Sequence, residues 1–364
     1  MKIDNLNVPS IRQLTNPVTS LVFSLGIGMI FTATVALAAT PTTPRAFRIQ
    51  SQWNIGGKGG WGFLSLDPSA HRLYIPRTDR VTVIDTETGK VIGEIDGMTN
   101  VRDVTLDSSG RYGYVTDPTD GTAGFVRVFD RASLRIVTSI PTGRIPDTIV
   151  FDSRTQFVFA FNSHSHSATI IDSTTNQAVA TIPLVGRPGS AVADGNGGVF
   201  VTLPALGEIA HIDAATKKVI ASWQLASCAG PAGLTVDPVH RQFFTTCEDH
   251  HLVAIDMDTR HVNIIGEAPA NSGDIAFDPK HDALFLANAA GTLTIFHRES
   301  PTEYSMVQQL QTQAGARTMA VSNADEKVYL ITSKFGQNTA AVSEELQFRP
   351  TPIPGTFSVI TIAK

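Results

Sequence analysis

Two short runs of the 364-residue chain concentrate residue types that bind metals. The run NSHSHS contains His164 and His166, and the run CEDHH contains His250 and His251. Imidazole suits borderline divalent metals, and two imidazoles two residues apart at a strand end face the same side. Neither run has the closed ligand spacing of a structural zinc site, so a histidine-rich turn that binds nothing is the alternative. The cofactor is unknown from the sequence, and a divalent metal is left open.

The contiguous catalytic signatures are absent from the sequence. It has no G-x-S-x-G, no H-E-x-x-H, no phosphate loop and no C-x-x-C-H for haem attachment. These absences disfavour an enzyme built on one local motif, but they leave open a site assembled from distant segments.

A sevenfold repeat must position any such site. In each copy an Asp or Ser ends a short apolar run, and an aromatic six or seven residues later opens the next run. The pairs are Asp67 and Tyr74, Asp107 and Tyr114, Asp152 and Phe159, Asp194 and Phe200, Asp237 and Phe244, Asp278 and Phe285, and Ser322 and Tyr329. The first members lie 40 to 45 residues apart, which is the period of a four-stranded propeller blade. We therefore predict an all-β fold of seven blades around a channel.

The strands within each copy follow from its continuation. After the aromatic comes a β-branched strand that usually ends in Asp, as in VTVID to Asp85 and ATIID to Asp172, and a polar turn leads to a fourth strand. An Asp at such a turn accepts a hydrogen bond from an amide two residues on. We interpret these aspartates as structural and exclude them from any catalytic set.

The two ends of the repeat array are complementary. The last copy stops after its third strand, Ser358 to Ile362, and the segment Ala46 to Trp53 has the character of the missing fourth strand. Pairing the two would close the ring and remove both exposed sheet edges. We predict one domain, residues 46–364, closed by its N-terminal strand in the last blade.

The N-terminal segment has the pattern of an export signal. Lys2 and Arg12 precede an apolar stretch from Val18 to Ala39 whose end carries small residues. We predict a signal peptide over residues 1–38, a linker over 39–45, and a periplasmic or secreted mature protein without a membrane span. An uncleaved membrane anchor is the alternative, because the stretch is long enough to span a bilayer.

The charge balance narrows the partners. Lys and Arg number 28 and Asp and Glu 33, for a formal net charge of −5. A basic nucleic-acid footprint is not indicated, since it requires clustered cations. The expected partner is an unknown protein or a small molecule, and the expected state is a monomer.

The chain has two cysteines, Cys228 and Cys247. The hairpin around residues 237–241 sets Cys247 opposite Pro231, three residues from Cys228, so a modest bend joins the sulfurs. In an oxidising compartment we predict a disulfide. A thiolate metal ligand beside His250 would require a reduced cysteine.

The second strands carry a family resemblance. They read YIPR, YVTD, FAFN, FVTL, FTTC, FLAN and YLIT, beginning at the seven aromatics. The chain thus resembles the YVTN-repeat, YncE-like seven-bladed propellers, which implies the fold and export but no catalytic residue. The fourth residue of the YVTN motif is not Asn in five of the seven copies, which have Arg77, Asp117, Leu203, Cys247 and Thr332 at this place.

The topology of a propeller blade places candidate ligand-binding residues at the rim of the channel. Counting back four and five residues from each hairpin Asp or Ser reaches the rim ends of the first strands. The charged residues there, or in the loops just before, are Arg102, Asp103, Arg144, Asp147, Arg187, Asp274 and Arg317. Charges in a narrow cleft focus potential on a ligand, although pairing among themselves across blades is the alternative.

Three functional classes remain open at this point. The first is a non-catalytic exported propeller that binds a partner or small ligand at the rim. The second is a metal-assisted lactonase or lyase using His164, His166 and His250, as some propeller relatives do. The third is an accessory protein of a periplasmic redox system.

Overall fold

Four-stranded antiparallel sheets recur along the chain at the predicted spacing. The structure, a computed structural model, describes residues 46–270, 272–336 and 351–364. In these ranges seven four-stranded sheets form the blades of a ring. The predicted signal peptide and linker, residues 1–45, lie outside the described residues.

The first three blades follow one another without interruption, and each runs from its first, innermost strand to its fourth, outermost strand. Blade one comprises β2 (Ser65–Asp67), β3 (Arg72–Arg77), β4 (Arg80–Asp85) and β5 (Val91–Ile95); blade two comprises β6 (Val104–Leu106), β7 (Tyr112–Asp117), β8 (Gly124–Asp130) and β9 (Arg135–Thr142); blade three comprises β10 (Pro146–Asp152), β11 (Phe157–Asn162), β12 (Ser167–Asp172) and β13 (Gln177–Pro183).

The next three blades repeat this order, with one turn of 3₁₀ helix, Pro204–Leu206, inside blade four. Blade four comprises β14 (Ala191–Ala193), β15 (Gly198–Leu203), β16 (Glu208–Asp213) and β17 (Lys218–Gln224); blade five comprises β18 (Pro231–Asp237), β19 (Gln242–Cys247), β20 (His251–Asp256) and β21 (Val262–Glu267); blade six comprises β22 (Ser272–Asp278), β23 (Ala283–Asn288), β24 (Thr292–Arg298) and β25 (Tyr304–Gln311).

The seventh blade combines the two ends of the described chain. Its strands are β26 (Thr318–Ser322), β27 (Lys327–Thr332), β30 (Ser358–Ala363) and β1 (Arg48–Asn54), and a small hairpin of β28 (Phe335–Gly336) and β29 (Thr351–Pro352) lies between β27 and β30 in sequence. The N-terminal strand begins two residues later and ends one residue later than predicted. It pairs antiparallel with β30, from Arg48 opposite Ala363 to Asn54 opposite Ser358. That this pairing is what closes the ring stays a prediction.

Burial explains the two sequence patterns within each blade. The second and third strands pack between neighbouring sheets, so their apolar runs are nearly continuous, as in β11 and β12. The fourth strands have one face in solvent and therefore alternate, as in β9. The seven repeated aromatics, Tyr74, Tyr114, Phe159, Phe200, Phe244, Phe285 and Tyr329, are each at most 1% exposed.

The repeated aspartates hold turns, as predicted. In the hairpins between first and second strands, Asp107 accepts bonds from the amide and hydroxyl of Ser109, and Asp152 does the same for Thr155. After the third strands, Asp85 accepts from the amides of Glu87 and Thr88, and these bonds, chiefly the one from Thr88, lower its pKa. These carboxylates therefore stabilise turns and face no cleft.

Candidate functional site

The ends of all seven first strands meet at one cavity on the axis of the ring, which we call the channel mouth. It has a volume of about 360 Å³. Counting back four and five residues from each hairpin Asp or Ser gave two rim residues for each blade. In six blades both of these residues line this cavity, and in blade two only Arg102 does. The lining residues are Trp61, Gly62, Phe63, Arg102, Asp147, Thr148, Gly189, Ser190, Pro204, Ala232, Gly233, Ser272, Gly273, Asp274, Arg317 and Thr318. Asp103 instead lines a cavity of about 300 Å³ further along the channel.

Neighbouring first strands approach closely at the channel mouth. The amide of Phe63 donates to the carbonyl of Arg102 over 2.9 Å, from blade one to blade two. A Cβ atom at Gly62 would overlap the same carbonyl, and one at Gly273 would overlap the carbonyl of Arg317. Glycine is therefore required at these two positions by the closeness of the backbones.

Asp103 links blade two to blade three. Its carboxylate accepts from the amide of Val104 over 2.8 Å and from the amide of Ile149, on the neighbouring first strand, over 3.0 Å. The side chain is buried, and this burial raises its pKa well above the ordinary value against the opposing effect of the two amides.

Asp274 makes the same link between blades six and seven. Its carboxylate accepts from the amides of Ile275 over 3.0 Å and Met319 over 3.2 Å. Burial raises its pKa to about 6. The predicted alternative, pairing of the rim charges among themselves, is not what satisfies these two carboxylates, because the bonds across neighbouring blades come from backbone amides.

The raised pKa of Asp274 gives the stability a pH dependence of defined sign. The folded protein binds more protons than the unfolded chain between the unfolded value of 3.8 and about 6, so this contribution is lost as pH rises through that window. Asp274→Asn removes the titration and leaves one amide without an acceptor. We expect the Tm difference between wild type and D274N to be largest near about pH 4 and to shrink by about pH 7.

The matched control for this pH series is Asp258→Asn. Asp258 is exposed and bonded to Arg241, which lowers its pKa, so its contribution to stability is constant above the ordinary aspartate range. Thermal unfolding followed by circular dichroism gives both series. A Tm difference for D274N that stays constant with pH would contradict the expectation.

Arg102 and Arg317 have fixed backbones and unpaired side chains. The carbonyl of Arg102 accepts from Phe63, and that of Arg317 accepts from Asp274 over 2.7 Å. Both side chains are exposed, and neither makes a hydrogen bond or an ion pair with a residue in the described ranges. Both residues line the channel mouth, Arg102 from blade two and Arg317 from blade seven, on either side of blade one.

The other charged residues predicted at the rim have different surroundings from Arg102 and Arg317. Asp147 is half-buried and lines the mouth, while Arg187 is exposed and lines an adjoining cavity of about 500 Å³ together with Asp147 and Glu248. Arg144 lines neither cavity, because its guanidinium turns aside to donate to the carbonyl of Gly121 over 3.0 Å.

His164, His166 and His250 lie in turns, and His251 is the first residue of β20. His164 and His166 are exposed between β11 and β12, and His250 and His251 lie at the corresponding turn of blade five. His166 and His250 have φ of 46° and 68°, so strand alternation does not place the imidazoles. No group of three His, Cys, Asp or Glu residues suited to a metal occurs in the part of the chain that the structure describes. A shared metal stays a prediction.

The predicted disulfide between Cys228 and Cys247 is confirmed. The two Cα atoms are 5.2 Å apart, and Cys247 lies opposite Pro231 in the β18–β19 register. The bridged loop is also held by the amide of Glu248, which donates to the carbonyl of Ala229 over 2.7 Å.

Reducing this disulfide should destabilise the protein moderately. The bridge closes a loop of 19 residues, for which about 2 to 4 kcal/mol is the usual contribution to the free energy of unfolding. The hydrogen bonds of the loop place the expected loss at the lower end of that range. Urea unfolding with and without a thiol reductant measures it, and the double variant Cys228→Ser/Cys247→Ser should be insensitive to the reductant. An equal response of wild type and double variant would contradict the prediction.

Sequence reasoning missed the role of the last residue of each second strand. We call this the tether position, and the segment leading into the first strand of the same blade the inbound loop. All seven tether residues are at most 5% exposed: Arg77, Asp117, Asn162, Leu203, Cys247, Asn288 and Thr332.

Five tether residues bind their own inbound loop, each by different chemistry. Besides the disulfide, Arg77 donates to the carbonyls of Gly56, Lys58, Gly59 and Gly60, Asp117 accepts from the amides of Thr99 and Asn100, Asn288 donates to the carbonyl of Ala270, and Thr332 donates to that of Ala314. The sequence signal for this role was that the fourth residue of the YVTN motif differs from Asn in five copies. Combined with the strand register, they would have identified this position.

Comparison with known proteins supports the fold. No protein-family model matches the chain, and no curated protein matches it. Among solved structures, hydrazine synthase of Kuenenia stuttgartiensis is 18% identical, with a TM-score of 0.66, over 75% of this chain and 92% of its own. A chain of a mitotic checkpoint complex is 12% identical, with a TM-score of 0.69, over 95% and 99%. These similarities establish a β-propeller, and the YVTN-repeat assignment stays a resemblance. No helix in the described ranges has the length and apolar character of a membrane span.

Proposed function

We propose that this chain is an exported β-propeller that binds a small anionic ligand at the channel mouth and acts by recognition, without catalysis. The observation that carries the proposal is that Arg102 and Arg317, whose exposed side chains have no partner among the described residues, line one cavity from blades two and seven.

Electrostatics favour an anion at this place. The protein has a net charge of −5, yet two cations converge on a concave site where low-dielectric walls strengthen their field. Burial disfavours the charged form of Asp103, further along the channel, which reduces the opposing negative charge. Arginine also recognises carboxylate and phosphate groups through paired hydrogen bonds.

A binding role agrees with the fact that the buried carboxylates of the channel already have hydrogen-bond partners within the protein. The carboxylates of Asp103 and Asp274 are engaged by backbone amides. The predicted metal-binding histidines do not line the mouth. The disulfide agrees with folding in an oxidising compartment, and hence with export.

The test is a thermal-shift series with citrate, benzoate and inorganic phosphate. A ligand that binds only the folded state raises Tm with its concentration. We expect at least one of these anions to raise the Tm of wild type, and Arg102→Gln/Arg317→Gln to abolish the shift while its ligand-free Tm stays within about 2 °C of wild type.

The matched control is Arg135→Gln/Arg154→Gln, which removes two exposed arginines away from the mouth. It should keep the wild-type shift. No shift with any anion would overturn the proposal, as would a large loss of ligand-free stability in the Arg102/Arg317 variant, which would show that these arginines hold neighbouring blades together.

A separate comparison distinguishes recognition from a metal-dependent enzyme. Protein purified without a polyhistidine tag is analysed for metal, as wild type and as His164→Ala/His166→Ala. We expect well under one metal ion per chain in both and an unchanged anion response. A stoichiometric metal that the double variant loses would favour the metalloenzyme.

A further inference from the structure

We propose that the anion bound at the channel mouth is an aromatic carboxylate, a molecule with one planar ring and an acidic group. This inference rests on the proposed function and adds the class of ligand. It is carried by the aromatic side chains that stand between the two arginines.

Phe63 is placed as a contact surface and not as part of the core. It is 39% exposed, whereas every other Phe, Tyr and Trp of the described ranges is buried or half-buried. Its side chain lines the mouth, a concave site of the size that small-molecule ligands occupy. An exposed ring in a cavity offers a planar apolar face to whatever enters.

Phe63 leads into blade one, which lies between the two blades that carry the arginines. The hydrogen bond from the Phe63 amide to the Arg102 carbonyl makes blades one and two direct neighbours here. Arg317 lies on the other flank, in blade seven, followed by Thr318. The hydroxyl of Thr318 is buried and has no hydrogen-bond partner among the described residues. A carboxylate beside the Phe63 ring thus has guanidinium donors on both sides.

A second aromatic, Trp61, is held rigidly in the same wall. It pairs with Arg77 as an isolated bridge, and its ring lies 5.5 Å from that of Phe357 and 6.0 Å from that of Phe335. The guanidinium of Arg77 stacks on the Phe357 ring at 3.7 Å. The aromatic wall therefore needs little ordering when a ligand binds, which favours affinity.

An aromatic carboxylate matches both parts of this wall. Its ring can stack against Phe63 and Trp61 in the offset or edge-on geometry that aromatic pairs prefer. Its carboxylate can accept paired bonds from Arg102 or Arg317. Inorganic phosphate would use only the arginines, and a saturated ring would lose the aromatic contact.

The experiment compares benzoate, cyclohexanecarboxylate and inorganic phosphate by isothermal titration calorimetry. Benzoate and cyclohexanecarboxylate have the same charge and similar size, so the ratio of their dissociation constants isolates the aromatic contact. We expect benzoate to bind about fivefold more tightly than cyclohexanecarboxylate, and Phe63→Leu to remove that preference. Phe63→Tyr, which keeps the ring, should retain the preference and shows that position 63 tolerates substitution.

The outcomes separate this inference from the proposed function. Equal binding of all three anions, lost in Arg102→Gln/Arg317→Gln but unchanged in Phe63→Leu, would overturn the aromatic carboxylate and leave anion binding intact. Failure of benzoate to bind while phosphate binds would do the same. Binding of none of the three, together with no thermal shift by citrate, would overturn both.

Discussion

Replacing Arg77 by methionine is expected to lower the free energy of unfolding by about 4 kcal/mol. The side chain is 1% exposed and donates to four backbone carbonyls of the blade-one inbound loop, at 2.9 to 3.3 Å. Each bond to a charged group contributes about 1 kcal/mol or more, and carbonyls left without a donor add to the loss. Methionine keeps much of the volume, so the effect reports the bonds and not a cavity.

The control for Arg77 lies three residues away. Arg80→Met removes an arginine of similar position whose partners, Asp79 and Glu94, are largely exposed. Such surface pairs contribute about 0–1 kcal/mol. Urea unfolding of the two variants should therefore differ by about 3 kcal/mol. Equal losses would show that Arg77 contributes only as a surface charge would.

Arg77→Met should also disturb the channel mouth. Gly59 and Gly60, two of the residues that Arg77 binds, come just before Trp61 in the chain. Loosening the loop would leave Trp61 less fixed, and benzoate affinity should fall although Arg77 does not line the mouth.

Removing the N-terminal strand is expected to remove most of the stability of the ring. A chain that starts at residue 56 lacks β1, leaves the backbone of β30 unpaired on one side and loses the contact of Phe47 with Phe285, whose ring centres are 5.2 Å apart. The whole stability of a domain is about 5–15 kcal/mol, and an unpaired strand edge promotes association. We expect a truncated protein that unfolds without a sharp transition and self-associates.

A chain that starts at residue 46 is the control for this truncation, since it keeps β1 and omits only the predicted signal and linker. Thermal unfolding and size-exclusion chromatography compare the two. A synthetic peptide of residues 46–56 should restore part of the transition to the shorter chain. A shorter chain that unfolds as cooperatively as the control would contradict the prediction that β1 closes the ring.

The fold was largely predictable because each blade carries its own copy of a short sequence pattern. The aromatic within each second strand and the Asp or Ser at the end of each first apolar run recur six or seven residues apart, and both have a local physical cause. Tyr74 is buried between sheets, and Asp107 holds a tight turn. Strand ends were less predictable: β1 extends to Asn54, one residue beyond the predicted end.

The candidate site was predictable in its place but not in its bonding. Counting along the repeats reached the residues of the mouth, because the first strands share one register. It could not show that Asp103 bonds the amide of Ile149, since that distance depends on how two blades pack. Nor could it orient His166, whose backbone has the positive φ of a turn.

The tether position has a consequence for grafting. The five tether residues that bind their inbound loop are 17 to 21 residues from the loop residues they bind, whether the link is a guanidinium, a carboxylate, an amide, a hydroxyl or a disulfide. Loop and tether therefore form a cassette that can be transplanted between blades as a unit. A loop moved alone would lack the tether residue that binds it. Moving the loop of Cys228 alone would leave both cysteines as free thiols.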